Sequence, residues 1–505
     1  MVRNIYYLAT LVFVIVGCGG GNDKSDGDII ENYSETVAPY SSGETPFTHF
    51  YSIAGSDIQR VSKLSYAIHP KSGYIAKPVS ISYSTAYLAE HGLITADKII
   101  LPIVGLYEDY ENSVTIAVKY RNLENQHQVS IITKRFESAD GLNYRPEVIK
   151  KAEIGHTLDF NYFFLKRING GPLVYDIDGE IRWTTNMVTS AVSTIFDKGK
   201  FIIGGPKTAS IINVELFGRT ENFSLLSNKY TNYHHNIEKG KYGYLFELDA
   251  TGPEGANIES VLVDGSHDGI IYTEFDFATI LSEYMKKQGD DPSPFVRSGK
   301  DWFHMNSAVY DASDNSIIAS SRENFVIKID YDTKEIKWVF GDPTKYWYTF
   351  NSLAKLAILM DEPAQYPVGQ HALSLDSKGD MLLFDNGGSS FNQPQEAPRG
   401  ISKSYSAARK YRIDAKLKKA TNIFTFDYAQ NLLSDICSSV YEMAGGSMLI
   451  NFANSDKGLM SATITPRHLG LGKNGAVEFE FKLNSPGYCG MGWNSDFINF
   501  ENLTY

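Results

Sequence analysis

The chain has 505 residues, too many for one ordinary core, and its 43% hydrophobic and 21% charged composition is that of a folded water-facing protein, which excludes a disordered or multi-span membrane chain. Tyr (32) and Phe (28), with 42 Gly to supply turns, favour strands over helices. The formal charge of −12 argues against a nucleic-acid partner, so an anionic ligand has to be drawn in by local positive groups.

The first residues read as an export signal. Arg3 supplies the positive charge, the run from 5 to 16 is apolar but too short to span a bilayer, and Ile15-Val16-Gly17-Cys18 resembles a bacterial lipobox. Residues 1–18 are therefore read as a lipoprotein signal with Cys18 as the lipidated mature N-terminus, and 19–46 as a Gly/Asp/Ser-rich flexible tether. No Asp follows Cys18, which by resemblance to enterobacterial lipoproteins implies outer-membrane sorting on the periplasmic side. Lipidation leaves Cys437 and Cys489 in an oxidising compartment, and both a bridge and two buried thiols stay open. No Cys-x-x-Cys and no Cys/His spacing of a zinc site occurs.

Residues 47–145 alternate apolar and polar side chains, as in Val79-Ser80-Ile81-Ser82-Tyr83, and are expected to form a small antiparallel β-sandwich. From 146 to 505 one pattern returns: a strand, a Gly/Asn/Asp turn, an apolar strand and a third strand ending on an aromatic. Copies start at His235, His304, His371 and Ser438, at intervals of 69, 67 and 67 residues. A repeat of that length holds four strands and a long loop, so an all-β fold with a six-bladed β-propeller is expected, with helices at 280–287 and 353–359 inserted in loops.

Inner strands of a propeller line its axis, so His235, His304 and His371 are expected to meet there, joined by Arg322 from a neighbouring strand. In Tyr233-His234-His235-Asn236, strand alternation lets only one of His234 and His235 point inward. Three imidazoles can bind a metal, but a nearby arginine repels a cation, so an anion is the expected ligand and no metal or other cofactor is assigned. Arg and cationic imidazoles hold sulfate or phosphate oxygens, and a neutral imidazole attacks sulfur or phosphorus. Trp302, Phe303 and Tyr346-Trp347-Tyr348 are candidates to face an aryl group.

Asp301-Trp302-Phe303-His304-Met305-Asn306-Ser307, Ser320-Ser321-Arg322, and Gly369-Gln370-His371 with Phe384-Asp385-Asn386-Gly387 resemble the bacterial aryl-sulfate sulfotransferases over most of the chain. The resemblance implies a sandwich before a propeller, a periplasmic homodimer, and ping-pong sulfuryl transfer from a phenolic sulfate to a phenol, without 3′-phosphoadenosine 5′-phosphosulfate. It implies His371 as nucleophile forming a sulfohistidine, and His304, Asn306, Arg322 and His235 as ligands of the sulfuryl oxygens. His304 or His235 then serves as general acid, and Ser438, where another histidine would stand, as a further donor or a core serine. No Gly-x-x-x-x-Gly-Lys-Ser/Thr loop is present to cradle a nucleotide phosphate. The rival readings are a sulfatase-like or phosphatase-like hydrolase using the same site, and a non-enzymatic anion-binding propeller lipoprotein.

Overall fold

The computed structural model describes residues 33–38, 45–55, 58–120, 124–138, 141–205, 209–251, 257–455, 463–483, 485–486 and 494–505. Cys18 and Cys489 lie outside them, so the expected lipidation and the open question of a Cys437–Cys489 bridge fall outside the described residues, and Cys437 is buried. Among the described residues no helix is long and apolar enough to cross a membrane.

The N-terminal domain is a sandwich of two sheets. One holds Tyr33–Ala38, Thr48–Gly55 and Lys98–Val104; the other holds Val61–Ile68, Val79–Ser84, Glu111–Tyr120 and Glu124–Ile132. The period-two pattern read in the sequence is the burial pattern: Val79, Ile81 and Tyr83 are buried and the serines between them only partly so. Tyr51, Ile53, Leu101 and Ile103 of one sheet meet Leu64, Tyr66, Ile81 and Ile116 of the other in a common core. Two boundaries differ from expectation. Tyr33–Ala38 falls in the stretch expected to be tether, yet it pairs antiparallel with Thr48–Gly55; its Tyr, Thr and Val are strand formers, and it covers a sheet edge. Leu503–Thr504, at the far end of the expected propeller region, pairs parallel with Val79–Ser84, and the Tyr505 ring stacks on Tyr83 at 5.0 Å.

The rest of the chain folds into successive antiparallel arrays, each packed on the next. In chain order their inner strands are Thr194–Asp197, Tyr230–Lys239, Met305–Asp311, His371–Leu375, Ser439–Glu442 and Asn494–Phe497, each lying beside the one before. The fold is β-propeller-like. Its closure uses both ends of the region: Asn494–Phe497 is the inner strand of the array built from Tyr162–Lys166, Leu173–Asp176 and Ile181–Trp183, while Glu147–Lys150 adds to Val477–Lys482 as the outer strand of the last array. Apolar strand faces fill the space between arrays, as where Val326, Trp338 and Phe340 pack on Leu373, Leu383 and Tyr411.

The helix expected at 280–287 is Phe277–Gln288, started by Asp276, whose carboxylate accepts from the Ala278 and Thr279 N–H groups, and stopped by Gly289 at φ 92°. The helix expected at 353–359 is shorter, Asn351–Ala354. Ala357–Met360 is instead a strand, parallel to both Ile336–Phe340 and Lys419–Phe426, and it ties two arrays into one sheet.

Candidate active site

The inner strands open onto the axis through irregular backbone. The pairing of Tyr230–Lys239 skips between Tyr233 and Ile237, that of Met305–Asp311 between Met305 and Ser307, and that of His371–Leu375 between His371 and Ser374. Left-handed residues sit at these bulges: His235 (φ 58°), His304 (φ 47°), Ala372 (φ 52°) and, at the fourth start, Cys437 (φ 54°) and Ser438 (φ 76°). Such conformations cost about 1–2 kcal/mol for a residue with a Cβ, and they re-aim side chains that a regular strand would alternate. The repeat positions are thus equivalent to within one residue, because the left-handed residue is the histidine itself in two copies and follows the histidine at His371.

The bulge overturns the expectation that only one of His234 and His235 turns inward. Both rings join the cluster: His234 lies 4.9 Å and His235 5.0 Å from His304, and His235 lies 5.5 Å from His371, centroid to centroid. His235 Nε2 and His304 Nε2 are 3.1 Å apart, within hydrogen-bonding distance. His304 Nδ1 meets the Asp301 carboxylate at 2.5 Å, and Asp301 also accepts from the Asn392 amide at 3.0 Å. His304 is therefore one half of a carboxylate–imidazole dyad whose Nε2 faces the cluster.

His371 is fixed differently. Its Nδ1 lies 2.8 Å from Asn386 Oδ1 and 3.0 Å from the Gly369 carbonyl. Asn386 has to present its oxygen here, since its NH₂ donates to the Ser434 and Cys437 carbonyls at 2.7 and 3.0 Å. Two acceptors on Nδ1 place the proton there, which leaves the Nε2 lone pair free. Burial, and next the positive charge of Arg322, pull the His371 pKa down to about 3. His234 falls to about 4 through burial and the His304 ring, and His235 lies well below the ordinary imidazole value through burial and then the surrounding imidazoles and Arg322. His234, His235 and His371 are thus held neutral at physiological pH.

Arg322 is 3% exposed and follows the strand Ser316–Ser321; its backbone N–H donates to the His304 carbonyl at 3.0 Å. Its Nη1 pairs with Glu323 at 2.7 Å and its guanidinium stacks 3.5 Å from the Phe391 ring centroid. Glu323 in turn accepts from the Phe391 and Asn392 N–H groups at 3.2 and 2.9 Å. The 387–400 loop therefore braces both Arg322 and Asp301.

Three sequence-derived candidates have partners within the protein. The Asn306 amide donates to the Gln370 carbonyl at 2.6 Å, so one of its two N–H donors holds the backbone preceding His371. Ser438 is 1% exposed and bonded to Ser434 Oγ, the Ile436 carbonyl and the Ala453 N–H, so of its two open readings, donor or core serine, these bonds favour the core serine. Trp302, Phe303 and Trp347 are buried against Phe277, Phe295 and Phe325, so they pack the core instead of facing an aryl ligand. Asn386, Asp301, Glu323 and Phe391 are the residues whose roles the sequence did not assign. His234, His235 and His304 also bring one ring nitrogen each within 4.8 Å of one another, a spacing able to hold a cation, and the Arg322–Glu323 pair weakens the charge argument against one.

The fold and site define a propeller-like protein with a cage of imidazoles beside a buried arginine. The profile of the arylsulfotransferase (ASST) family matches residues 148–488, and that of the arylsulfotransferase Ig-like domain matches 34–134. The chain belongs to the arylsulfotransferase family of enzymes. It is similar to the arylsulfate sulfotransferase AssT of Escherichia coli O6:H1, 29% identical over 177 residues, which is 32% of this chain and 29% of that protein's length. It is also similar to AssT of Lelliottia amnigena, 23% identical over 484 residues, covering 75% of this chain and 77% of that one. Among solved structures, the β-propeller domain of Cps50 (Swd1) of Myceliophteria thermophila is 12% identical with a TM-score of 0.34, covering 67% of this chain and 89% of its own. Streptogramin B lyase is 12% identical with a TM-score of 0.35, covering 68% and 97%.

Proposed function

We propose that the protein is an aryl-sulfate sulfotransferase that carries a sulfuryl group from a phenolic sulfate ester to a phenol through a sulfohistidine on His371, without a nucleotide donor. The observation that carries this reading is the His371 ring, with Nδ1–H held by two oxygens, 5.5 Å from the His235 ring and within reach of the charge of Arg322, which together with burial keeps it neutral. The Nε2 lone pair forms the N–S bond as the ester S–O bond breaks, and the electron pair leaves on the phenolate, which takes a proton from His304. In the second half the acceptor phenol returns a proton to His304, its oxygen attacks sulfur, and the N–S pair goes back to His371. Arg322 offsets charge on the sulfuryl oxygens, as cationic clamps do in phosphoryl transfer. Of the two histidines open as general acid, His304 is favoured: Asp301 backs it, whereas His235 is buried and resists protonation. Phe391, 45% exposed and stacked on Arg322, is the aromatic placed to meet an aryl group.

Turnover of 4-nitrophenyl sulfate with and without phenol tests the transfer. Acceleration by phenol with phenyl sulfate as product is the expected result; a rate indifferent to phenol, with inorganic sulfate formed, would establish the hydrolase reading instead. The pH profile is a second expected outcome. A lowered pKa for a base means that the proton binds only at lower pH, so the nucleophile stays neutral from pH 7 down toward 4. The first half-reaction should therefore keep most of its rate at pH 5, where an imidazole of pKa 6.5 would have lost about thirty-fold. Rapid-quench measurement of nitrophenol release at pH 5 and 7 checks this.

The six-bladed propeller belongs to the same proposal, supported by the order of inner strands around the axis and by closure from both chain ends. So do lipidation at Cys18, a periplasmic outer-membrane location and a homodimer, which rest on the sequence signal and on family resemblance.

A further inference from the structure

We propose that Asn386 is a positioning residue for the sulfuryl-accepting imidazole, and that a neutral amide at this place, where many catalytic histidines carry a carboxylate, keeps the sulfuryl group of the intermediate transferable. The inference rests on the sulfohistidine reading above and extends it from which atom reacts to what sets its reactivity.

The amide is built in. Asn386 is fully buried, and its NH₂ is held by two carbonyls from the 434–438 loop. That loop is shaped for the purpose: left-handed Cys437 and Ser438 turn the Cys437 carbonyl toward Asn386. Ser434 and Ser438 lock it through their hydroxyls, 2.8 Å apart, and through the Asn454 and Ala453 N–H groups that donate to them. Ser406 Oγ closes the circuit by donating to the Asn386 carbonyl at 2.7 Å and accepting from the Ser434 N–H at 2.8 Å. The amide therefore cannot rotate without breaking several buried hydrogen bonds, and only its oxygen reaches His371.

The chemistry follows from charge. When Nε2 attacks sulfur with Nδ1–H retained, the ring becomes an N-sulfo-imidazolium: positive ring, anionic sulfuryl group. Asn386 and the Gly369 carbonyl accept the Nδ1 hydrogen bond but neither takes the proton nor neutralises the charge. Among the described residues the groups that bear on His371 from other elements are His235, His304 and Arg322, all neutral or positive, while the Asp301 and Glu323 carboxylates are bonded to His304 and Arg322. Asp385, the neighbouring carboxylate, points away to Arg409 and Lys403 and accepts from the Val368 N–H. The imidazolium is thus left uncompensated, neutral imidazole remains a good leaving group, and a phenol can take the sulfuryl group. A carboxylate here would stabilise the positive ring and turn a transient carrier into a trap.

The test compares wild type, Asn386→Asp and Asn386→Ser. Each is exposed briefly to 4-nitrophenyl sulfate and chased with phenol, the His371 adduct being followed by mass spectrometry and the folded state by thermal unfolding. In Asn386→Asp the adduct should form but discharge about tenfold or more slowly, and the acidic limb of the first half-reaction should move up by about one pH unit, the two being the same change in charge stabilisation. Asn386→Ser stays neutral and is expected to slow adduct formation about tenfold, through loss of the Nδ1 acceptor, with discharge at the wild-type rate. Equal discharge rates in wild type and Asn386→Asp with an unmoved pH limb would overturn the inference while leaving the sulfohistidine standing. Equally slowed discharge in both variants would also overturn it. Absence of any adduct on wild-type His371 would remove the sulfohistidine reading and this inference with it.

Discussion

Replacing His371 by Asn is expected to lower turnover of 4-nitrophenyl sulfate by about 10⁴-fold or more while leaving the protein folded. The reason is specific to covalent transfer. Arg322, His304 and the rest of the cage still bind and polarise the donor in the variant, but no lone pair stands in line with the ester bond, so the first step loses its nucleophile. Asn is smaller than His and polar, and the neighbouring Asn386 keeps its two carbonyl partners, so the local network loses only the Nδ1–H shared by Asn386 and the Gly369 carbonyl, worth about 1 kcal/mol. Kinetics, mass spectrometry after brief exposure to donor, and thermal unfolding separate the possibilities. A sulfuryl adduct in wild type that vanishes in the variant, with the melting temperature nearly unchanged, is the expected set. Residual turnover within tenfold of wild type would move the nucleophile elsewhere; unchanged behaviour in every assay would favour the anion-binding scaffold over an enzyme.

The parts of this site legible in the sequence are those that recur. Histidines at 235, 304 and 371 announced themselves by spacing, and Arg322 by its place one strand later in the same copy. What escaped is what depends on tertiary closure. Asn386 lies fifteen positions beyond His371 and meets it only because Met381–Asp385 pairs with His371–Leu375. Asp301 reads as an ordinary loop carboxylate until the 387–400 loop folds Asn392 onto it. Strand alternation would admit only one of His234 and His235, but a left-handed residue in a bulge breaks the alternation and admits both rings. Ser438 and Asn306 occupy repeat positions whose side chains also bond the backbone, a commitment that spacing does not reveal. Chain order misled at the ends as well, since Tyr33–Ala38 and Leu503–Thr504 both add to sandwich sheets across gaps that no local pattern encodes.

Replacing His304 by Gln should cost activity in proportion to the basicity of the leaving phenolate. Gln can still donate a hydrogen bond toward the cage but cannot deliver a proton, so the loss measures general acid catalysis, typically about 10²–10⁴-fold. A 4-nitrophenolate leaves readily as an anion and needs little protonation, whereas unsubstituted phenolate needs nearly all of it. The expected result is therefore a modest loss with 4-nitrophenyl sulfate, about tenfold, and one approaching 10³-fold with phenyl sulfate, while wild type shows a much flatter dependence on the leaving group. Asp301→Asn should fall between the two enzymes, since the carboxylate that accepts the Nδ1 proton at 2.5 Å is replaced by an amide that holds the ring without supporting its charge. The acceptor half-reaction carries the mirror image of this pattern. A group that protonates the departing phenolate must deprotonate the incoming phenol, so the more acidic phenols should rescue His304→Gln best. If loss and rescue are both independent of phenol acidity, His304 is a sulfuryl ligand only, and the proton passes through another group of the cage.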